Sequence, residues 1–206
     1  MWTLVLAMMA GVVFVLIAGL VTLLVATNHR TGGRQGGAQV ALMGLVSDVV
    51  TRLLRMGVPI RIFGNPVVLL TVPGRKTGLP RTALVDLYER DGRRFLVSTH
   101  GDDKAQWVHN LRAAGRGTLT RRRRTQEFTA MELPPEAAGR ALKEILGPRL
   151  ATPFGGFALR QTVEVTADAP LERFISAARR HPVFELSAAS VISQNEPDHA
   201  KGRLHV

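Results

Sequence analysis

Apolar side chains run almost unbroken from Trp2 to Ala26, interrupted by Thr3 and Thr22 and carrying no charge. At about 1.5 Å per residue this stretch exceeds the ~30 Å hydrocarbon thickness of a bilayer, so it predicts one transmembrane helix over 2–26. Met1-Trp2-Thr3 supplies no basic side chain, which argues against a cleaved secretory leader. Glycines in Thr31-Gly-Gly-Arg-Gln-Gly-Gly37 then predict a flexible linker over 27–38. From Val40 to Met56 the pattern changes again. Leu42, Leu45, Val46, Val49, Leu53 and Met56 recur at spacings of three and four, with Asp48, Arg52 and Arg55 elsewhere on the wheel. Such an amphipathic helix either packs on a domain core or lies against anionic lipid headgroups.

Beyond Pro59 short β-rich runs alternate with turn signals. Strands are predicted at Val67–Val72, Thr82–Tyr88, Arg94–Thr99, Thr118–Arg124, Glu127–Glu132 and Phe157–Thr166, with Asp91-Gly92 closing a hairpin between the second and third. Helices are predicted at Gln106–Ala114, ended by Gly115 and Gly117, and after Pro134-Pro135, where Ala138, Ala141, Leu142 and Ile145 precede a stop at Gly147-Pro148. A third helix carries Leu171, Phe174, Ile175 and Ala178, with Asp168 as its cap. Polar sequence from Ser187 predicts a mobile tail over 187–206. Antiparallel strands with interspersed helices amount to an α+β domain over 39–186 built around a small barrel.

Charge changes the picture more than length does. The 206 residues carry a net charge of +11, which predicts attraction to polyanions: nucleic acid, an anionic membrane, or a cofactor with phosphate and carboxylate groups. His29, Arg30 and Arg34 follow the apolar run, and the positive-inside rule puts the domain after them on the cytoplasmic side of the cell membrane. Arg121 to Arg124 invite a nucleic-acid reading, yet side chains alternate along a strand, which divides the four between two faces, and only Phe128 lies near for stacking. Nucleic acid is therefore the lesser reading. The absence of cysteine excludes disulfides and thiolate chemistry, and six scattered histidines predict no metal site.

One stretch carries the candidate chemistry. Val67-Val-Leu-Leu-Thr-Val-Pro-Gly-Arg-Lys-Thr-Gly-Leu-Pro-Arg81 runs an apolar strand into a basic turn bracketed by Gly74 and Gly78, where inward amides and the charges of Arg75, Lys76 and Arg81 would make an anion site. A polar hairpin turn with solvated basic tips has the same spacing, and the two stay open here. A hydrolase built on Ser98, His100 and Asp86 lacks any nucleophile-elbow context.

The basic turn, Phe95-Leu-Val-Ser-Thr-His-Gly101, Trp107-Val-His-Asn-Leu-Arg-Ala-Ala-Gly115 and His181-Pro-Val-Phe184, in that order, resemble the deazaflavin-dependent nitroreductase and quinone reductase family. The resemblance implies a split β-barrel, FMN-binding-like and flanked by helices, that binds coenzyme F-420, with FMN as the lesser alternative. That coenzyme carries a phosphodiester and an oligoglutamate tail and needs a basic cradle. The resemblance assigns the phosphate and tail to Arg75, Lys76, Thr77 and Gly78, with Gly74 and Arg81 beside them. It sets Ser98, Thr99 and Gly101 along the deazaflavin, and Trp107 and Asn110, one helical turn apart, facing the same pocket. Without it, Trp107 reads equally as a core aromatic and Asn110 as a surface amide.

Catalysis in this family belongs mainly to the reduced coenzyme, which gives a hydride while the protein fixes distance and angle. His100 or a neighbouring amide is a candidate to stabilise charge developing on the acceptor. Implied acceptors are quinones, nitroaromatics or activated double bonds, and the apolar run favours a lipophilic one such as a membrane quinone. A tethered module that binds the coenzyme without turnover is the alternative. Many relatives place a proline shortly after the position of Arg81, where this chain has Thr82-Ala-Leu84, and the 101–107 segment is short, with Asp102 and Asp103 beside Lys104. Both differences fall where the acceptor is expected.

Overall fold

The computed structural model describes residues 37–62, 64–99, 105–152, 156, 159–160 and 162–188. The apolar run 2–26, nearly all of the 27–38 linker, and the 189–206 part of the tail lie outside them. Among the described residues no helix is long and apolar enough to cross a membrane.

Helix α1 (Gly37–Arg55) leads through β1 (Arg61–Ile62) into β2 (Asn65–Pro73), β3 (Pro80–Arg90) and β4 (Arg93–Val97); α2 (Gln106–Ala114), β5 (Arg116–Arg121), β6 (Arg124–Glu132), α3 (Pro135–Leu150), α4 (Leu171–Ala178) and β7 (Val183–Ala188) follow. All pairings are antiparallel, in the order β2-β3-β4-β7-β6-β5. Leu69 opposite Thr120 and Thr71 opposite Thr118 join β5 back to β2 and close a six-stranded barrel, with β1 as an extension of β2. Closure removes every edge that an open sheet would expose.

Strand alternation sorts the core into an inside and an outside. Val68, Leu70, Val72, Val85, Leu87, Leu96, Leu119, Phe128, Phe184 and Leu186 fill the barrel, and α2 adds Val108 and Leu111, with Trp107 packed against them. Outside, Val67 and Leu69 meet Val50 and Leu54 of α1. Tyr88, Phe95, Val97 and Val183 meet α3 and α4 on another flank. This explains the unbroken run Val67-Val-Leu-Leu: both faces of β2 are covered.

Several elements differ from the sequence reading. Helix α3 runs through Gly147-Pro148 to Leu150. An interior proline costs ~3 kcal/mol, but Leu146 and Leu150, both fully buried, each return roughly 1.5–3 kcal/mol, so continuing the helix wins. Among the described residues of the Phe157–Thr166 stretch, where a strand is expected, none is formed. Residues 159–160 and 162–163 are helical, and Leu159 and Val163, one turn apart, are buried. Pro170, not Asp168, sits at the N-cap of α4, while the Asp168 carboxylate is held below its usual range by a hydrogen bond from Thr166. Ser187, expected to begin the tail, lies inside β7 opposite Thr129. The four arginines share no single strand: Arg122 and Arg123 form the turn between β5 and β6, with Arg121 and Arg124 opposite each other at its base.

Candidate functional site

A cleft of about 510 Å³ opens where β2 ends, lined by Gly74, Arg75, Lys76, Thr77, Arg81, Thr82, Ala83, Gln106, Trp107 and Asn110. The wall formed by the β2–β3 connection has sequence-local causes. The β2–β3 connection curls tightly because the Gly74 amide donates to Leu79 O at 2.8 Å, and the Thr77 and Gly78 amides donate to Gly74 O at 3.2 and 2.7 Å. Gly78 adopts φ 67°, a left-handed conformation costly for any residue with a Cβ. At Gly74 the constraint is space instead, since a Cβ there would stand 3.1 Å from Leu79 O and 3.3 Å from Thr77 Oγ1.

The turn is not an open nest of amides. Its N–H groups are mostly spent on its own closure, Leu79 N–H pointing at Thr77 Oγ1 at 3.4 Å and Arg75 N–H donating to Asn110 Oδ1 at 3.2 Å. Anion attraction must therefore come from side chains. Arg75, Lys76 and Arg81 are exposed, and all three line the cleft.

Helix α2 forms the opposite wall. It ends where Gly115 takes φ 62° and returns its amide to Leu111 O. Its spacing places Gln106 and Asn110 one turn apart, and both reach Arg75: Nη1 donates to Gln106 Oε1 and to Asn110 Oδ1, each at 3.2 Å. Asn110 is 6 % exposed, so its carbonyl is a fixed anchor that joins the basic turn to α2. Trp107 is half-buried, its ring centroid 5.8 Å from that of Phe184 at a tilt of 58°, with Ala83 on the cleft wall as well.

The structure thus brings together Gly74, Arg75, Lys76, Thr77, Arg81, Trp107 and Asn110, with Gly78 closing the same turn. Ser98 and Thr99 are not among the lining residues, and Gly101 and His100 lie outside the described residues. Ser98 is buried and stitches β4 to the segment before β7: its amide donates to Pro182 O at 3.0 Å, and its carbonyl stands 2.9 Å from His181 Nδ1. Asp86 faces outward from the barrel beside Arg149 and Tyr88, where burial pushes its carboxyl up to about 6 against the opposing pull of Arg149. Thr82 and Ala83, where the acceptor is expected, join the lining, as does Gln106, which the sequence reading gave no role. Gln106 was legible in principle, four residues before Asn110 on the same helical face. Among the described residues no group of three or more His, Asp or Glu side chains could hold a metal ion.

Residues 46–153, just over half of the chain, match the family model described as F420H(2)-dependent quinone reductase. The chain belongs to that family. Its cofactor is accordingly coenzyme F-420, and its activity is that of a deazaflavin-dependent oxidoreductase. Among solved structures, one described as a domain-swapped dimer is 22% identical, with a TM-score of 0.39, and the match covers 70% of this chain and 98% of that one. Another, described as an F420-H2 dependent reductase (FDR-A), is 23% identical with a TM-score of 0.34, over 59% of this chain and 93% of that one. No curated protein matches the chain.

The cleft fits such a group on chemical grounds. Its three cations suit a phosphodiester and carboxylates, and a half-buried indole with Ala83 supplies apolar wall for a planar ring.

Proposed function

We propose that the chain transfers a hydride from reduced F-420 to a lipophilic acceptor, a membrane quinone before a nitroaromatic, while anchored by residues 2–26 with its barrel on the cytoplasmic side. The observation that carries this reading is the convergence of Arg75, Lys76 and Arg81 on one cleft that reaches Trp107. The bound coenzyme supplies the hydride; the protein supplies geometry. Arg75 is prepositioned by Gln106 and Asn110, so its charge is fixed before the phosphate arrives, which lowers the ordering cost of binding. Lys76 and Arg81 hold carboxylates further along the tail. Trp107 and Ala83 give the ring a wall and exclude water from one side, and Thr82 borders the space left for the acceptor. Asn110 works through Arg75 and is a positioning residue.

The anchor supports the choice of acceptor, since tethering raises the local concentration of anything dissolved in the bilayer. Mixing the full chain anaerobically with reduced F-420 and following its reoxidation on addition of a naphthoquinone or a nitroaromatic tests the reading. Faster reoxidation by the quinone is expected. Tight coenzyme binding with no reoxidation by either acceptor would instead favour a binding module.

A further inference from the structure

We propose that the arginine turn between β5 and β6, together with the last turns of α1, forms a docking surface for anionic lipid headgroups at the barrel end opposite the coenzyme cleft. The turn itself is the first observation. Arg122 and Arg123 have φ of 49° and 65°, both left-handed, where a two-residue hairpin turn is most cheaply built from Asn-Gly. Each such conformation strains a residue bearing a Cβ, and nothing in the turn's backbone asks for arginine. The pair is accounted for by its side chains, which are exposed.

Geometry adds a second element. A Cβ on Gly57, directly after α1, would stand 3.1 Å from Arg123 Cγ, so the hairpin tip is pressed against the end of α1. Exposed Arg52 and Arg55 in the last turn of α1 extend the same basic surface. Glu89 neutralises Arg121 at 3.1 Å, but among the described residues Arg52, Arg55, Arg122, Arg123 and Arg124 have no ion-pair partner.

Apolar exposure decides between lipid and nucleic acid. Leu45, Val49 and Met56 are 61%, 43% and 62% exposed, and at 100° per residue they share a stripe with Arg52, turned away from the Val50 and Leu54 face that meets β2. Arginines set among exposed apolar side chains suit a headgroup boundary, while a nucleic-acid surface has no use for Leu45 or Val49 and wants aromatic platforms instead. The choice of lipid rests also on the anchored reading above. Thr120 pairs with Leu69 and Thr118 with Thr71, so the register carried two residues further sets Arg122 level with Val67, near the start of β2, while the cleft lies beyond its end, a separation on the order of 20 Å. Lipid and coenzyme therefore engage different cations and do not compete, and the quinone of the anchored reading is taken up in the undocked state, in which residues 2–26 alone keep the barrel at the bilayer.

The chain has no cysteine, so Met56→Cys can carry a single environment-sensitive fluorophore in the full-length protein. Its emission should shift to the blue with vesicles containing about one-third phosphatidylglycerol, and not with pure phosphatidylcholine, the shift vanishing in high salt. Arg122→Asn with Arg123→Gly keeps a favourable turn, so the melting temperature should hold or rise while the docked-to-undocked ratio falls about thirty-fold. Arg122→Lys with Arg123→Lys should retain the shift. An equal shift in phosphatidylcholine, an undiminished shift in the Asn-Gly variant, or a shift with short duplex DNA but not with vesicles would each overturn the proposal. Flotation of the chain with vesicles without any shift would reject the docking surface and leave the anchored reading standing.

Discussion

Replacing Asn110 by leucine tests whether α2 holds the basic turn in place. The side chain keeps its volume at a position 6 % exposed, but Oδ1 disappears, and with it the acceptor for Arg75 N–H and for Arg75 Nη1, both at 3.2 Å. Stranding a partly buried amide costs about 1–3 kcal/mol, and the released guanidinium must then be ordered by the coenzyme at the moment of binding. If about half of that cost falls on the complex, affinity for F-420 drops roughly two- to ten-fold, with the rest seen as a lower melting temperature. Gln106→Leu removes only the exposed 3.2 Å contact to Nη1, worth less than ~1 kcal/mol. Coenzyme fluorescence titrations and thermal melts on the two variants side by side read both effects. Equal losses in the two variants, or wild-type affinity and stability in Asn110→Leu, would refute the anchoring role.

Other consequences are independent of that contact. The folded Asp86 carboxyl titrates at about 6 instead of its ordinary 3.8 because of burial, so the folded protein holds a proton that the unfolded chain has released between those values. Stability should therefore fall by up to about 3 kcal/mol as pH rises from about 4 to about 6, and Asp86→Asn should flatten that slope in urea melts; an unchanged slope would place the titration elsewhere. At Gly139 a Cβ would stand 2.5 Å from Ile175 Cγ1 and 2.7 Å from its backbone N, so Gly139→Ala should force α3 off α4. Overpacking of about 1–3 kcal/mol outweighs the ~1 kcal/mol gain in helix propensity, and the melting temperature should drop with F-420 affinity intact; a higher melting temperature would show that the helices part freely.

Much of the barrel was written in local pattern, and the exceptions have identifiable causes. The helix Gln106–Ala114 was placed at its observed ends because Gly115 marks the stop, and the Asp91-Gly92 hairpin because both residues take positive φ there. Strand β7 was hidden by its composition. Val183 and Phe184 are both buried, one facing α3 and α4 and the other the barrel interior, and only closure of the barrel reveals that arrangement. The segment 157–166 carries β-formers, but the spacing of Leu159 and Val163 was the better guide. At the site, the glycine-bracketed turn and its three cations were visible as a motif. What the motif could not show was that the turn consumes its own amides and that Gln106 and Asn110 hold Arg75, because those contacts join segments more than thirty residues apart.

The claim beneath all of this is that the cationic cleft selects the deazaflavin coenzyme by its anionic handle. Titrating the full chain with F-420 and with FMN, as wild type and as Lys76→Glu with Arg81→Glu, measures it directly. Submicromolar F-420 binding, weaker FMN binding, and a loss in the variant that shrinks as salt rises are the predicted results. Tighter binding of FMN, or undiminished F-420 affinity after both charges are reversed, would contradict the account.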